Sequence, residues 1–512
     1  MGFAVAEIIA TVFAESPGQA QRTAARAAMA GADWIELRLD AWPLHVDLRA
    51  LIRGIGLPVI ATCRTPREGG TYRGELAARR ELLQRALSGG AHGVDLEDWE
   101  EWQPAPRPRL VIRSHHNLVD VGQDLAARRD ALLAQGADVA KLAVTAPDLA
   151  DAAPVLQLLA ATEQTKTPTI AFAMGRAAAL SRVLSCVLGA PYVYATADPG
   201  AGVDGEASAI VPSQQSAQQL GQLPVDSVRG IYGVHNLSSQ SLLFGLLGQP
   251  VNHSLGPWLH NRVFRHLGID AVYLPLETAR PDALVASLPR RRLRGLSVTA
   301  PFKESIARGC HLLDDAAQAT GAVNTVLFDA HGQVRGCNTD VHGVRAALAE
   351  AGLSTAPRKG TSAAVLGSGG GARAAAVVLQ DMGFAVTLLA RSLDRVRAFA
   401  RGRGLQLASL RADLLAQMNP LVVVHATPVG TVGTPQAGER LLPEWAPARG
   451  TFVLDMVYRP AITPLLVAAR AHDAIPVSGL AMFLAQAREQ VRLFTGQEVD
   501  TAVLRGFLAG VL

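Results

Sequence analysis

From Glu7 to about Val211, short β-like apolar runs alternate with Ala-, Leu- and Arg-rich stretches of helical composition. The runs EIIATV, DWIELRLD, PVIATCR, GVDLE, RLVIRSH, DVAKLAV, PTIAFAM and YVYAT have the lengths and residue types of strands. Eight strand–helix repeats in roughly 220 residues predict a (β/α)8 barrel, with a doubly wound α/β sheet as the rival architecture. Residues 212–240 are rich in Ser, Gln, Gly and Pro, which predicts a helix end followed by a linker. A second α/β region opens at LLFGLLGQP, and near Ser362 the run AAVLGSGGGARAAAVVLQ reads strand, glycine-rich turn, helix, with VTLLARS as the next strand. The expected boundaries are a barrel over 1–225, a linker over 226–241, and a second α/β unit from 242.

In WIELRLD, residues 34–40, Ile35, Leu37 and Leu39 alternate with Glu36, Arg38 and Asp40. A parallel barrel strand has no solvent face, because helices cover its outside. The charged set must then point into the barrel, where it has to be paired or bind a ligand. Asp95 and Glu97 share a face in the same way, and Lys141 sits between Val139 and Ala143. An inward lysine is either the partner of an inner carboxylate or an amine whose desolvation prepares it to attack a carbonyl, and the pattern leaves both readings open.

These strands carry IELRLD, ATCRTPREGG (61–70), SHHN (114–117), VAKLAV (139–144) and LSR (180–182), in an order and spacing that resembles the type I 3-dehydroquinate dehydratases. The resemblance implies that Lys141 forms an imine with the substrate ketone and that His116 is the general base and acid. It implies Glu68 near His116 or the substrate, Glu36 orienting substrate hydroxyls or His116, Arg182 clamping the substrate carboxylate, and Arg38 and Arg64 lining the anionic pocket. His115 stands where the family often has an aromatic residue and is expected to pack. In the closing lid, Gln214 is retained but Ile210 occupies the family's serine position.

GSGGGARA, residues 367–374, lies between a strand and a helix, where backbone amides can hold a pyrophosphate. Arg391 and Arg395 follow the next strand where an NAD enzyme places an acid, which favours the 2′-phosphate of NADP. The chain from 242 resembles the shikimate dehydrogenases in GQPVNHSLGP (248–257), SVTAPFKE (297–304), GAVNT (321–325), CNTD (337–340), ATPVG (426–430), DMVYRP (455–460) and GLAMFLAQ (479–486). The resemblance implies a substrate domain over 242–341 completed by 478–512, and an NADP-binding Rossmann domain over 342–477. Lys303 and Asp340 become the catalytic pair, with a plain salt bridge as the alternative. Ser254, Thr299, Asn324 and Gln486 become substrate contacts. Gly367, Gly369, Gly370, Gly371, Ala372, Arg391, Ser392, Arg395, Thr427, Gly479 and Met482 become cofactor contacts. Three positions depart from the family: Gly256 replaces a serine, which would make room for quinate, Ala390 replaces an Asn, and His425 replaces the Asn before ATPVG.

The two resemblances together imply a bifunctional enzyme that dehydrates 3-dehydroquinate and then reduces 3-dehydroshikimate to shikimate. A quinate-specific second half and a non-catalytic metabolite sensor are the alternatives; the sensor would lack Lys141, His116, Lys303 or Asp340, and all four are present. Composition is that of a globular enzyme: 49% hydrophobic, 18% charged, 5% aromatic, net charge +4. Scattered single arginines with few aromatics argue against nucleic-acid binding. No metal is expected. Four dispersed cysteines with no CxxC pair point to a reducing compartment, and no apolar run is long enough to cross a bilayer, so a cytoplasmic protein is expected.

Overall fold

The structure is a computed structural model that describes residues 5–43, 45–197, 221–251, 254–353, 355–356 and 358–511. The chain forms two compact units.

The first is a nearly closed barrel of eight parallel strands in the order β7-β6-β5-β4-β3-β2-β1-β8. The strands are β1 (Glu7–Val12), β2 (Trp34–Arg38), β3 (Val59–Thr62), β4 (Gly93–Glu97), β5 (Leu110–His116), β6 (Val139–Thr145), β7 (Thr169–Met174) and β8 (Tyr192–Thr196). Ile35, Leu37, Val94 and Leu96 are fully buried, as expected of strand faces covered by helices. Ile9, Trp34, Ile60, Ile112, Val139 and Ile170 form one apolar cluster. They share strand parity with Glu36, Asp95 and Lys141, so hydrophobic layers floor the barrel beneath the charged residues. Within the stretch read as a linker, Val228 and Val234 are buried and Arg229 reaches the Gly31 carbonyl.

Two further sheets follow the barrel in the chain. One is mixed, with strands β9 (Leu242–Gly248), β10 (Ala271–Glu277), β11 (Leu293–Val298), β12 (Leu312–Leu313), β13 (Thr325–Phe328) and β14 (Val334–Cys337) in the order β10-β9-β11-β13-β14-β12. The other comprises β15 (Ser362–Leu366), β16 (Ala385–Ala390), β17 (Gln406–Ser409), β18 (Val422–His425), β19 (Phe452–Asp455) and β20 (Ile475–Val477), all parallel, in the order β17-β16-β15-β18-β19-β20. This is the doubly wound nucleotide-binding arrangement, with its switch point between β15 and β18. The helix Gly479–Thr495 packs on Thr339–Glu350 so closely that a Cβ on Gly343 would stand 2.7 Å from the Met482 carbonyl. Leu480, Phe483, Leu484, Val491, Leu504 and Leu508 share a core with Leu255, Leu259 and Val263.

Candidate active sites

In the barrel, parallel register carries side chains from several strands to the C-terminal ends, and Ser114 is the register partner of Lys141. They surround a cavity of about 330 Å³, lined among others by Glu36, Arg64, Glu68, His116, Lys141 and Arg182. That size suits a small metabolite. Lys141 Nζ lies 3.0 Å from Asp95 Oδ2, 3.9 Å from Glu36 Oε1 and 3.6 Å from the centre of the Tyr194 ring. Of the two readings left open by the pattern, the ion pair is therefore present, and it stands in the cavity wall. Glu36 is oriented by two hydroxyls, Thr11 and Thr62, that donate to its oxygens.

Arg64 bridges the acids: it is 3.0 Å from Asp95 and 3.2 Å from Glu68, and it donates to Ser114 at 2.6 Å. Burial opposes ionisation of Asp95, yet Arg64 and Lys141 together hold its carboxyl well below the ordinary range. His116 Nδ1 is 2.9 Å from Glu68 Oε2. Burial, against the pull of Arg64, pushes Glu68 up to about 8. Burial and the Arg64 and Lys141 charges push His116 well below its ordinary value.

Seven of the expected dehydratase residues, Glu36, Arg38, Arg64, Glu68, His116, Lys141 and Arg182, thus line one cavity, and their partners are now specific. His116 takes its bond from Glu68, while Glu36 is held by Thr11 and Thr62. Arg64 is committed to the buried Asp95 and Glu68 rather than to open solvent, so it organises the pocket wall. Arg38 lines the cavity but donates both its bonds to Asp40, at 2.9 and 2.6 Å. Arg182 donates to the Gly221 carbonyl at 2.9 Å and lies 4.3 Å from the Phe172 ring centre, and burial lowers its guanidinium to about 9. Gln214 and Ile210 lie outside the described residues. His115 is held by Asp98 at 2.8 Å, and so is more than a packing residue. Glu68, Asp98 and His115 bring possible metal-ligand atoms within 4.8 Å of one another, and Glu68 is paired with Arg64 and Asp98 with Arg128. Asp95 was not among the expected site residues, although its strand face was legible.

In the second unit Lys303 Nζ lies 2.5 Å from Asp340 Oδ2. Asn338 caps the helix Thr339–Glu350 by accepting from Asp340 N–H, which sets Asp340 in its first turn. Asn324 donates to Asp340 Oδ1 at 2.8 Å and to Thr339 Oγ1 at 2.9 Å, and Thr339 Oγ1 lies 3.2 Å from Gln486 Oε1. Lys303, Asp340, Asn324 and Gln486 therefore form one hydrogen-bonded cluster. Thr299 directly follows β11, and the Ser254 hydroxyl accepts from Gly256 N–H at 3.1 Å. His253, beside Ser254, lies outside the described residues.

The glycine-rich turn stands directly behind the lysine: a Cβ on Gly370 would lie 2.9 Å from Lys303 Cδ. Gly367, at φ +140°, leaves only 2.7 Å between a Cβ and the Ala426 carbonyl, so the turn needs glycine there. Gly369 faces open space within 4 Å, and the helix Gly370–Asp381 begins beside it. Arg391, Ser392 and Arg395 are exposed beyond β16. An open backbone cradle at a helix N-terminus with two exposed arginines fits a pyrophosphate and a 2′-phosphate. Met482 is buried in the apolar core of this unit, and Gly479 is walled by the Asp455 and Val457 carbonyls.

The comparisons agree with both halves. The family model of type I 3-dehydroquinase matches residues 8–236, that of the shikimate dehydrogenase substrate binding domain matches 246–326, and that of the shikimate 5′-dehydrogenase C-terminal domain matches 479–506. A chloroplastic bifunctional 3-dehydroquinate dehydratase/shikimate dehydrogenase of Arabidopsis thaliana is 30% identical over 96% of this chain and 82% of its own length. A shikimate dehydrogenase (NADP(+)) of Acidiphilium cryptum is 41% identical over 54% of this chain and 99% of its own. The solved dehydroquinate dehydratase and shikimate dehydrogenase of S. pombe AroM covers 98% of each chain at 25% identity and a TM-score of 0.41. These matches do not favour a quinate-specific second half or a non-catalytic sensor. The chain belongs to the bifunctional 3-dehydroquinate dehydratase/shikimate dehydrogenase family, a lyase followed in the same polypeptide by an NADP-dependent oxidoreductase.

Proposed function

We propose that Lys141 and His116 carry the dehydration and that Lys303 and Asp340 carry the proton for the reduction. The observation that supports the first assignment is that one cavity holds an amine, an imidazole and the carboxylates that charge-balance them. Lys141 Nζ adds to the ketone of 3-dehydroquinate, and water leaves to give an iminium. Asp95 and Glu36, already placed against the Nζ charge, stabilise that cation as they do the ammonium. His116 takes the proton from the adjacent carbon, and the electron pair flows into the iminium. The same imidazole returns the proton to the departing hydroxyl, which leaves as water. Hydrolysis of the imine frees 3-dehydroshikimate and Lys141.

In the reduction, NADPH supplies the hydride when bound. Lys303 donates a proton to the carbonyl oxygen as the alkoxide forms, and Asp340 keeps the ammonium oriented. Asn324 and Gln486 border this pair, where they can hold the ring hydroxyls, and Ser254 and Thr299 are assigned the remaining polar contacts. Arg391 and Arg395 hold the 2′-phosphate. All four cysteines are unpaired, which supports a reducing, cytoplasmic setting; the Arabidopsis relative is named as chloroplastic. Among the described residues no helix is long and apolar enough to cross a membrane.

The test is product analysis after incubation with 3-dehydroquinate and NADPH. Shikimate with matched NADPH oxidation is the expected result. Accumulated 3-dehydroshikimate with NADPH untouched would refute the roles given to the second unit, and quinate as the main product would reassign its substrate.

A further inference from the structure

We propose that His425 is a positioning residue for the cofactor: its ring ties the Thr427 hydroxyl to the Asp455 carboxylate and presents that hydroxyl to the bound dinucleotide as a hydrogen-bond acceptor. This rests on NADPH occupying the glycine-rich cradle.

His425 ends β18 and is the register partner of Leu366 in β15 and of Asp455 in β19. Its side chain is 2% exposed. Nδ1 lies 2.9 Å from Asp455 Oδ1, and Nε2 lies 2.5 Å from Thr427 Oγ1. Asp455 cannot turn away, because Val457 N–H donates to Oδ1 at 3.0 Å and the Thr463 hydroxyl donates to Oδ2 at 2.6 Å. A carboxylate that receives these donors is an acceptor, so Nδ1 carries the ring proton toward it. In the neutral ring Nε2 is then an acceptor, and the Thr427 hydroxyl must donate to it. That uses the hydroxyl's single proton; one lone pair accepts from Val429 N–H at 3.4 Å and the other remains to accept a further donor.

The segment lies against the cradle. The Ala426 carbonyl is the atom that a Cβ on Gly367 would meet at 2.7 Å, and Thr427 is half-exposed one residue on. An acceptor at this edge suits an N–H or O–H donor of the dinucleotide. The shikimate dehydrogenases that this chain resembles carry Asn at the His425 position. Two ring nitrogens let the histidine reach from Asp455 to Thr427 in one span. The departure therefore keeps the loop anchored and fixes which way its hydroxyl points.

The test is titration of NADPH fluorescence, with steady-state KM values, for His425→Leu, Thr427→Val, the double variant and His425→Asn. Thr427→Val should weaken NADPH binding about fivefold to tenfold, the effect of one hydrogen bond, and raise the KM for NADPH in step. The KM for 3-dehydroshikimate should stay unchanged. His425→Leu should match it, the double variant should lose no more than either single change, and His425→Asn should stay within about twofold of the parent. Parent-like binding by Thr427→Val overturns the proposal, and so do losses that multiply in the double variant. If His425→Leu fails to fold, Thr427→Val and His425→Asn decide alone. A parent protein that does not bind NADPH would instead remove the cofactor assignment itself.

Discussion

His116 Nδ1 and Glu68 Oε2 are 2.9 Å apart, and their surroundings push their affinities for a proton in opposite directions. Below about 8 the Glu68 carboxyl holds a proton and donates it to Nδ1, so Nε2 keeps the ring proton and cannot accept one from substrate. Above it, Nδ1–H donates to the carboxylate and Nε2 is free. The dehydratase kcat/KM should therefore rise with pH through this region. In Glu68→Gln the amide oxygen accepts from Nδ1–H at any pH, so the limb should move to lower pH while the plateau falls about 10²-fold. A pH–rate profile with an unmoved limb would rule the pair out as its origin.

Asp95 balances two buried cations, Arg64 at 3.0 Å and Lys141 at 3.0 Å. Asp95→Asn leaves both short of counter-charge in a dry site. The expected cost is about 3–5 kcal/mol, with the barrel's thermal midpoint lower on the order of 10 °C. Circular dichroism melts read this directly, and an unchanged midpoint would show that Glu36 and Glu68 suffice.

Lys303→Met should lower kcat for NADPH oxidation by about 10²–10⁴. The same preparation should still convert 3-dehydroquinate to 3-dehydroshikimate, since Lys303 belongs to the other unit. Loss of both activities would mean that the substitution acts on folding.

Arg391→Ala with Arg395→Ala should raise the KM for NADPH about 10²- to 10⁴-fold, because each charge-assisted phosphate bond is worth roughly 1.5–3 kcal/mol and two are lost. NADH kinetics should hardly change, since NADH has no 2′-phosphate. Equal losses with the two cofactors would place the 2′-phosphate elsewhere.

The barrel was legible because parallel strands covered by helices leave a plain signature. GVDLE and YVYAT are strands from end to end, and period-two alternation placed Glu36, Asp95 and Lys141 on the inner face. Periodicity gives a face and not a neighbour, so it could not show that Arg64 serves both Asp95 in β4 and Glu68 four residues further along its own loop. Val228 and Val234 escaped notice because single apolar residues in short irregular turns have no period to detect. His425 stood out only as a departure from a motif. Its link to Asp455 needed the β18–β19 register, which the local sequence does not contain.

Gly370 binds the fates of two reagents. The position opens the cradle's helix and also leaves the room in which Lys303 stands, since a Cβ there would come within 2.9 Å of the Lys303 Cδ. A methyl group there would disturb the hydride source and the proton source together. Selection on this enzyme cannot retune its coenzyme turn without also resetting the aim of its acid, so variation at the turn is constrained by chemistry that happens on the other side of the lysine.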